Sequence, residues 1–246
     1  MFLEVFFLAM AGVLLFNNLE THSRLQRINR ALEDGRPYDF LRDIDLELER
    51  PHKGALRELL KLNRSAGLVY IGEFDEALVY LKSVDRDILG KGWFGRQKKF
   101  TDALYYNNLL YTLLCARRYS EAVEVWSECA EKIVPRTGHG LLDHCLKGTA
   151  ATYQYHCGDL PNARECLERL LQEPNIPRLY KAHRLYYLGR IDLYEGRFEQ
   201  AMDRIEEAAK LAPGGFLAEE PKRLVLGDER IPNPGAGRAL PATPAC

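Results

Sequence analysis

GEFDEA at residues 72–77, RRYSEA at 117–122, GDLPNA at 158–163 and GRFEQA at 196–201 decide the fold of this chain. Each opens on Gly or Arg, has an aromatic residue or Leu two positions on, and closes on Ala three further. Each lies between two runs of apolar residues at helical spacing, which predicts a turn joining two helices. Gly72, Gly158 and Gly196 are expected to end one helix at positive φ, where Gly carries no Cβ penalty. Phe74, Tyr119, Leu160 and Phe198 are expected to fill the crevice where the two helices diverge. Ala77, Ala122, Ala163 and Ala201 then let the helix backbones approach closely.

Working outward, the helical pattern runs from about residue 53 to 213. The expected pairs are 54–71 with 74–84, 99–116 with 119–133, 141–157 with 161–171, and 177–195 with 198–211. No stretch of this region alternates with period two or carries a hairpin turn signal, so an all-α fold is expected. The four Ala positions lie 45, 41 and 38 residues apart, a period that marks stacked supersecondary units.

These units resemble tetratricopeptide repeats (TPRs). The fourth matches best, through Leu188, Gly189, Gly196, Phe198, Ala201, Ala208 and Pro213. The first matches through Ser65, Gly72, Phe74 and Ala77. The second departs at Leu110 and Arg117, and the third has Gln154 where an aromatic residue is usual. The family unit is about 34 residues, so longer helices or loop insertions are expected. The resemblance implies a right-handed α-solenoid whose first helices line a concave, protein-binding groove. Carried onto this sequence, the groove positions are Asn63, Ala66 and Tyr70; Asn107, Asn108, Tyr111 and Cys115; Thr152, Tyr155 and His156; and Tyr186, Arg190 and Tyr194. Tyr supplies rigid contact area with a polar tip, a type enriched in interface hot spots. The same tyrosines are equally suited to packing between helices. Members that grip a terminal carboxylate use Lys and Asn at the positions held here by Leu62 and Ala66, and Lys and Arg at those held by Cys145 and Thr149, so that mode is not expected even though Asn108 matches.

Residues 1–16, MFLEVFFLAMAGVLLF, carry one charge, Glu4. As a helix they span about 24 Å, slightly short of a hydrocarbon core of about 30 Å. No basic residue precedes the run, as a secretory signal would require. Arg24, Arg27, Arg30 and Arg36 follow it, which places the C-terminal side in the cytoplasm. The expectation is an uncleaved single-pass anchor over residues 1–17; a helix packed against the protein is the alternative. Residues 18–52 read as an amphipathic connector, with 38–49 either helical or extended. Residues 214–231 are expected to cap the last helix through Phe216, Leu224, Val225 and Leu226, since a solenoid end needs a cover. The Pro- and Gly-rich tail 232–246 is expected to be disordered.

The chain has 246 residues, 46% apolar and 28% charged, with a net charge of −1. That balance gives no general attraction to nucleic acid. The six cysteines, five of them in helical runs, read as thiols in a reducing compartment. No phosphate loop or catalytic cluster is visible, and no enzyme activity or cofactor is expected. The basic residues Lys91, Arg96, Lys98 and Lys99 read as a solvated loop. His144-Cys145 and His156-Cys157 lie about 18 Å apart on one helix, too far to share an ion whose ligands sit at about 2–2.3 Å; no metal is expected. The functional expectation is a membrane-anchored scaffold that binds a partner protein or peptide. The alternative is a soluble structural subunit whose N-terminal apolar helix mediates oligomerisation.

Overall fold

Glycine in the left-handed region punctuates the chain. In the computed structural model Gly35, Gly72, Gly158 and Gly196 have φ of 75°, 90°, 84° and 79°, and Arg117 takes the same place with φ 59°. At each turn two backbone bonds recur. The Gly72 N–H donates to Val69 C=O and the Glu73 N–H to Leu68 C=O; Gly196 pairs with Leu193 and Arg197 with Asp192. The same two bonds form at Gly35, Arg117 and Gly158. This is the Schellman closure of a helix C-terminus, which satisfies orphan carbonyls and reverses the chain. The next helix starts at once, as when the Ala77 N–H donates to Glu73 C=O and the Ala201 N–H to Arg197 C=O.

The structure describes residues 19–52, 54–89, 98–133, 140–174, 176–219 and 221. Among these residues all regular structure is helical: α1 Leu19–Glu33, α2 Pro37–Glu49, α3 Ala55–Ile71, α4 Phe74–Lys82, α5 Arg86–Leu89, α6 Lys98–Cys115, α7 Tyr119–Ile133, α8 Gly140–Cys157, α9 Leu160–Leu171, α10 Arg178–Tyr194 and α11 Phe198–Leu211. A 3-10 turn, Phe216–Ala218, follows. The chain is all-α; the eight helices expected between 53 and 213 lie within one or two residues of their expected bounds, and the short α5 was not expected. Leu19–Glu33 and Pro37–Glu49, within the expected connector 18–52, form the α1/α2 hairpin; Pro37 sits in the first turn of α2, where its missing N–H costs nothing.

Two compact units divide at Asp143 and His144. In the first, α1 packs on α2, α2 on α3, α3 on α4, and α6 on α4 and α7. Its core holds Leu25, Leu32, Phe40, Ile44, Leu60 and Tyr106. A Cβ on Gly67 would lie 2.6 Å from Phe40 Cε1, so the absent side chain lets α2 and α3 meet. Buried Glu47 joins α1 and α2 through Arg24, at 3.2 Å, and also takes Arg50 and His52 at 3.0 Å each.

In the second unit α10 packs on α9 and α11, and the 3-10 turn packs on α11. A Cβ on Gly189 would lie 2.6 Å from Ile205 Cγ1 and 3.0 Å from the Ala201 carbonyl, the close approach expected at that Ala. Asp192, fully buried, takes Arg164 at 2.8 Å and Arg197 and Arg204 at 2.6 Å each. Three arginines from α9, α11 and the turn before α11 thus converge on the end of α10.

The crevice expectation needs one correction. Leu160 is buried and Phe74 and Tyr119 are half-buried, but Phe198 is 66% exposed. It opens α11, the last helix of more than one turn among the described residues, and no further described hairpin closes over it. The thiol expectation also changes: Cys115, Cys129, Cys145 and Cys157 are free, whereas Cys166 is disulfide-bonded. Among the described residues no helix is long and apolar enough to cross a membrane. The expected anchor at 1–17, the basic residues Lys91 and Arg96, the apolar cap residues Leu224–Val225–Leu226 and the tail 232–246 lie outside the described residues.

Candidate protein-binding site

In the first unit the candidates Asn63 and Tyr70 stand on α3 and Asn107, Asn108 and Tyr111 on α6. Every residue from 103 to 114 is buried, so α6 is enclosed on all sides over three turns. Its buried polar groups are mostly amides and hydroxyls. Asn107 Nδ2 donates to Asn108 Oδ1 at 3.4 Å, and the Thr112 hydroxyl donates back to the Asn108 carbonyl at 2.7 Å. Asn107 Oδ1 and Asn108 Nδ2 have no partner among the described residues. Asn63 and Tyr111 are buried as well, and Tyr70 is half-buried. Beside them, Arg86 of α5 lies over the rings of Tyr105 and Tyr106, 5.2 and 4.6 Å from the centroids. Burial, with the hydrogen bond to Glu128, pushes the Tyr106 phenol up to about 12.

In the second unit Thr152, Tyr155 and His156 stand on α8 and Tyr186, Arg190 and Tyr194 on α10. The Thr152 hydroxyl is spent on the Gly148 carbonyl, 3.0 Å away. Tyr155 meets His156 and Tyr187 edge-on, with ring centroids 4.9 and 5.2 Å apart. Tyr187 in turn meets Tyr186 at 5.1 Å and His183 at 4.8 Å. Aromatic pairs prefer such inclined contacts, because the edge of one ring faces the negative face of the next. Arg190 Nη1 donates to the Tyr186 hydroxyl at 3.0 Å. Thr152, Tyr155, Tyr186 and Arg190 are buried, His156 is half-buried, and Tyr194 is 49% exposed.

Four ionisable residues of α10, His183, Arg184, Arg190 and Asp192, are buried in a continuous stretch from 182 to 192. Burial, reinforced by Arg184, holds His183 well below the ordinary imidazole range. His144 on α8 is lowered too, by burial and then by Arg184, although Glu173 opposes the shift from 2.6 Å away. Both imidazoles are therefore neutral at pH 7. The sequence reading did not single out His183, Arg184 and Asp192, because helical period shows which residues share a face but not which charged groups are buried. For Asp192 a signal existed: Arg197 stands five residues on, across a Gly turn.

The two His-Cys pairs do not converge. His144 pairs with Glu173, and Cys145 Sγ meets the Tyr180 hydroxyl. Burial pushes the Cys157 thiol up to about 12, which disfavours the thiolate that binds metals. Among the described residues no group of three or more His, Cys, Asp or Glu is placed to hold an ion.

In comparisons with known proteins, the chain matches no family model, no curated protein and no solved structure.

Proposed function

We propose that this protein is a non-catalytic binding scaffold built of tetratricopeptide-like hairpins stacked as a right-handed solenoid. Residues 1–17 hold it at a membrane as a single-pass anchor, and the helical part faces the cytoplasm. The observation that supports binding most is the stripe Tyr186, Arg190 and Tyr194 on α10. Residues four apart share a helix face, Tyr and Arg are the types enriched in hot spots, and the stripe ends on exposed Tyr194. An anchored scaffold raises the local concentration of whatever it holds.

Tyr194 is the variant of choice because its exposure makes Tyr194→Ala harmless to packing. Partner protein or peptide captured by the full chain should be lost from Tyr194→Ala while helical content by circular dichroism is unchanged. Equal capture by the variant overturns the assignment to this face.

A second reading has its own support. Asn63, Asn107, Asn108, Tyr111, Thr152 and Tyr155 are all buried, as packing residues of a soluble structural subunit would be. Carbonate washing of membranes separates the two. An anchor keeps the full chain in the pellet and releases a chain that starts at Asn18; release of both as stable oligomers favours the subunit.

A further inference from the structure

We propose that the turn at residues 214–218 is an intramolecular occupant of the Tyr186–Arg190–Tyr194 face, and that this face takes an aromatic side chain. The proposal rests on the assignment of that face as a binding surface and names the chemistry it accepts. The stripe is not evenly covered: Tyr186 is 8% exposed and Arg190 4%, whereas Tyr194 is 49%. Phe216 stands on Tyr186, with ring centroids 6.3 Å apart and planes at 85°. Arg190 fixes the same ring through its hydroxyl, at 3.0 Å. Tyr186 is thereby held between a cation and an aromatic edge. Leu217, the next residue, is buried.

The backbone folds the chain back to this place instead of releasing it. Gly214 takes φ 73°, which favours Gly. The Gly215 N–H donates to the Ala212 carbonyl, the Ala218 N–H to Gly215 and the Glu219 N–H to Phe216, at 3.3, 3.0 and 3.2 Å. An end cover for α11 alone needs apolar contact with α11. Phe216 reaches past it to a ring on α10 that belongs to the stripe. A partner can therefore meet Tyr194 at once, whereas at Tyr186 it competes with Phe216 and its contact group takes that ring's place.

Acetylation of tyrosines by N-acetylimidazole in the full chain, mapped by mass spectrometry, tests the occupancy. In the wild type Tyr194 should react while Tyr186 and fully buried Tyr180 do not. In Phe216→Ala, Tyr186 should become reactive, moving toward the behaviour of Tyr194, with fully buried Tyr180 still protected. Tyr186 unchanged beside a protected Tyr180 overturns the proposal. Should Tyr180 also become reactive, a protease site placed after Pro213 and cut after folding gives the same comparison without a core change. The peptide GGFLAE added to the uncovered protein should restore protection, and GGALAE should not. Protection by both or by neither overturns the assigned chemistry. These readouts need no partner, so failure of the binding assignment, seen as capture that survives Tyr194→Ala, is scored separately.

Discussion

Helices α6 and α10 are each buried through about three turns, yet they carry opposite kinds of polar group. The first unit buries amides and hydroxyls there: Thr101, Asn107, Asn108 and Thr112. The second buries His183, Arg184, Arg190 and Asp192. Neutral amides and hydroxyls carry a burial cost that does not change with pH. Buried ionisable groups stand or fall with a particular partner and protonation state. The two helices are thus enclosed alike and held differently, and the sensitivities of α6 and α10 should differ accordingly.

Asp192→Ala should have the largest effect. Asp192 is the shared anion for Arg164, Arg197 and Arg204 and is fully buried. Removing one member of a buried ion cluster typically costs about 3–5 kcal/mol, because the remaining charges lose their compensation. Two of the arginines are about one-fifth exposed and Arg197 is 43% exposed, so the lower end of that range is expected. A urea titration with exchange read separately for each unit checks it: the second unit should open first. Equal losses in both units would break the comparison.

Close packing gives the next contrast. Gly189→Ala would drive its Cβ against Ile205 Cγ1 and the Ala201 backbone carbonyl; Gly67→Ala would meet only Phe40 and Leu41 side chains. Side chains can shift where a helix backbone cannot. Overpacking costs about 1–3 kcal/mol; the upper part is expected for Gly189→Ala and the lower for Gly67→Ala. Thermal melts of the two variants decide the order.

Much of this architecture is legible in the sequence, for a local reason. A Schellman turn is made within six residues, so Gly72, Gly158 and Gly196 announce it wherever helical period flanks them. The same grammar is present at Gly35-Arg36-Pro37, but Phe40 occupies the slot that Ala fills elsewhere, and the alternating acids of α2 blur its period. What the sequence conceals is pairing at long range. Arg164 reaches Asp192 across 28 residues, and Phe216 reaches Tyr186 across 30. Helical spacing shows which face a residue shares, not which distant side chain meets it. The candidate stripe on α10 was legible as a stripe; its covering by Phe216 was not.

Acid should separate the units by protonation. His144 and His183 are held neutral in the folded second unit, with values below the ordinary 6.5. Once unfolded they regain that value and bind protons more readily than the native state does. Stability is therefore full above about pH 6.5 and falls as pH drops below it, by at most about 1.4 kcal/mol per pH unit for each histidine. The first unit has no such pair on α6. Exchange rates of the two units, corrected for intrinsic pH dependence and compared between pH 7 and 5, should show selective loosening of the second. A parallel response would place the acid-labile groups elsewhere.

The smallest effect concerns the described hairpin turn that places Arg where the others place Gly. Arg117 holds φ 59° where the other hairpin turns use Gly. For an L-residue that conformation costs about 1–2 kcal/mol, and Gly returns part of the gain through its greater unfolded freedom. Arg117→Gly should therefore stabilise the first unit by about 0.5–1 kcal/mol, seen as a raised urea midpoint with an unchanged slope. The mirror experiment is Gly196→Ala in the second unit. A Cβ there meets nothing within 4 Å, and φ is 79°, so any loss reports backbone strain alone, about 1 kcal/mol. Opposite signs of similar size would establish that the turns of both units share one energetic rule. Their differences would then reside in what α6 and α10 bury. A destabilised Arg117→Gly would instead mean that the Arg117 side chain contributes more than its backbone conformation costs.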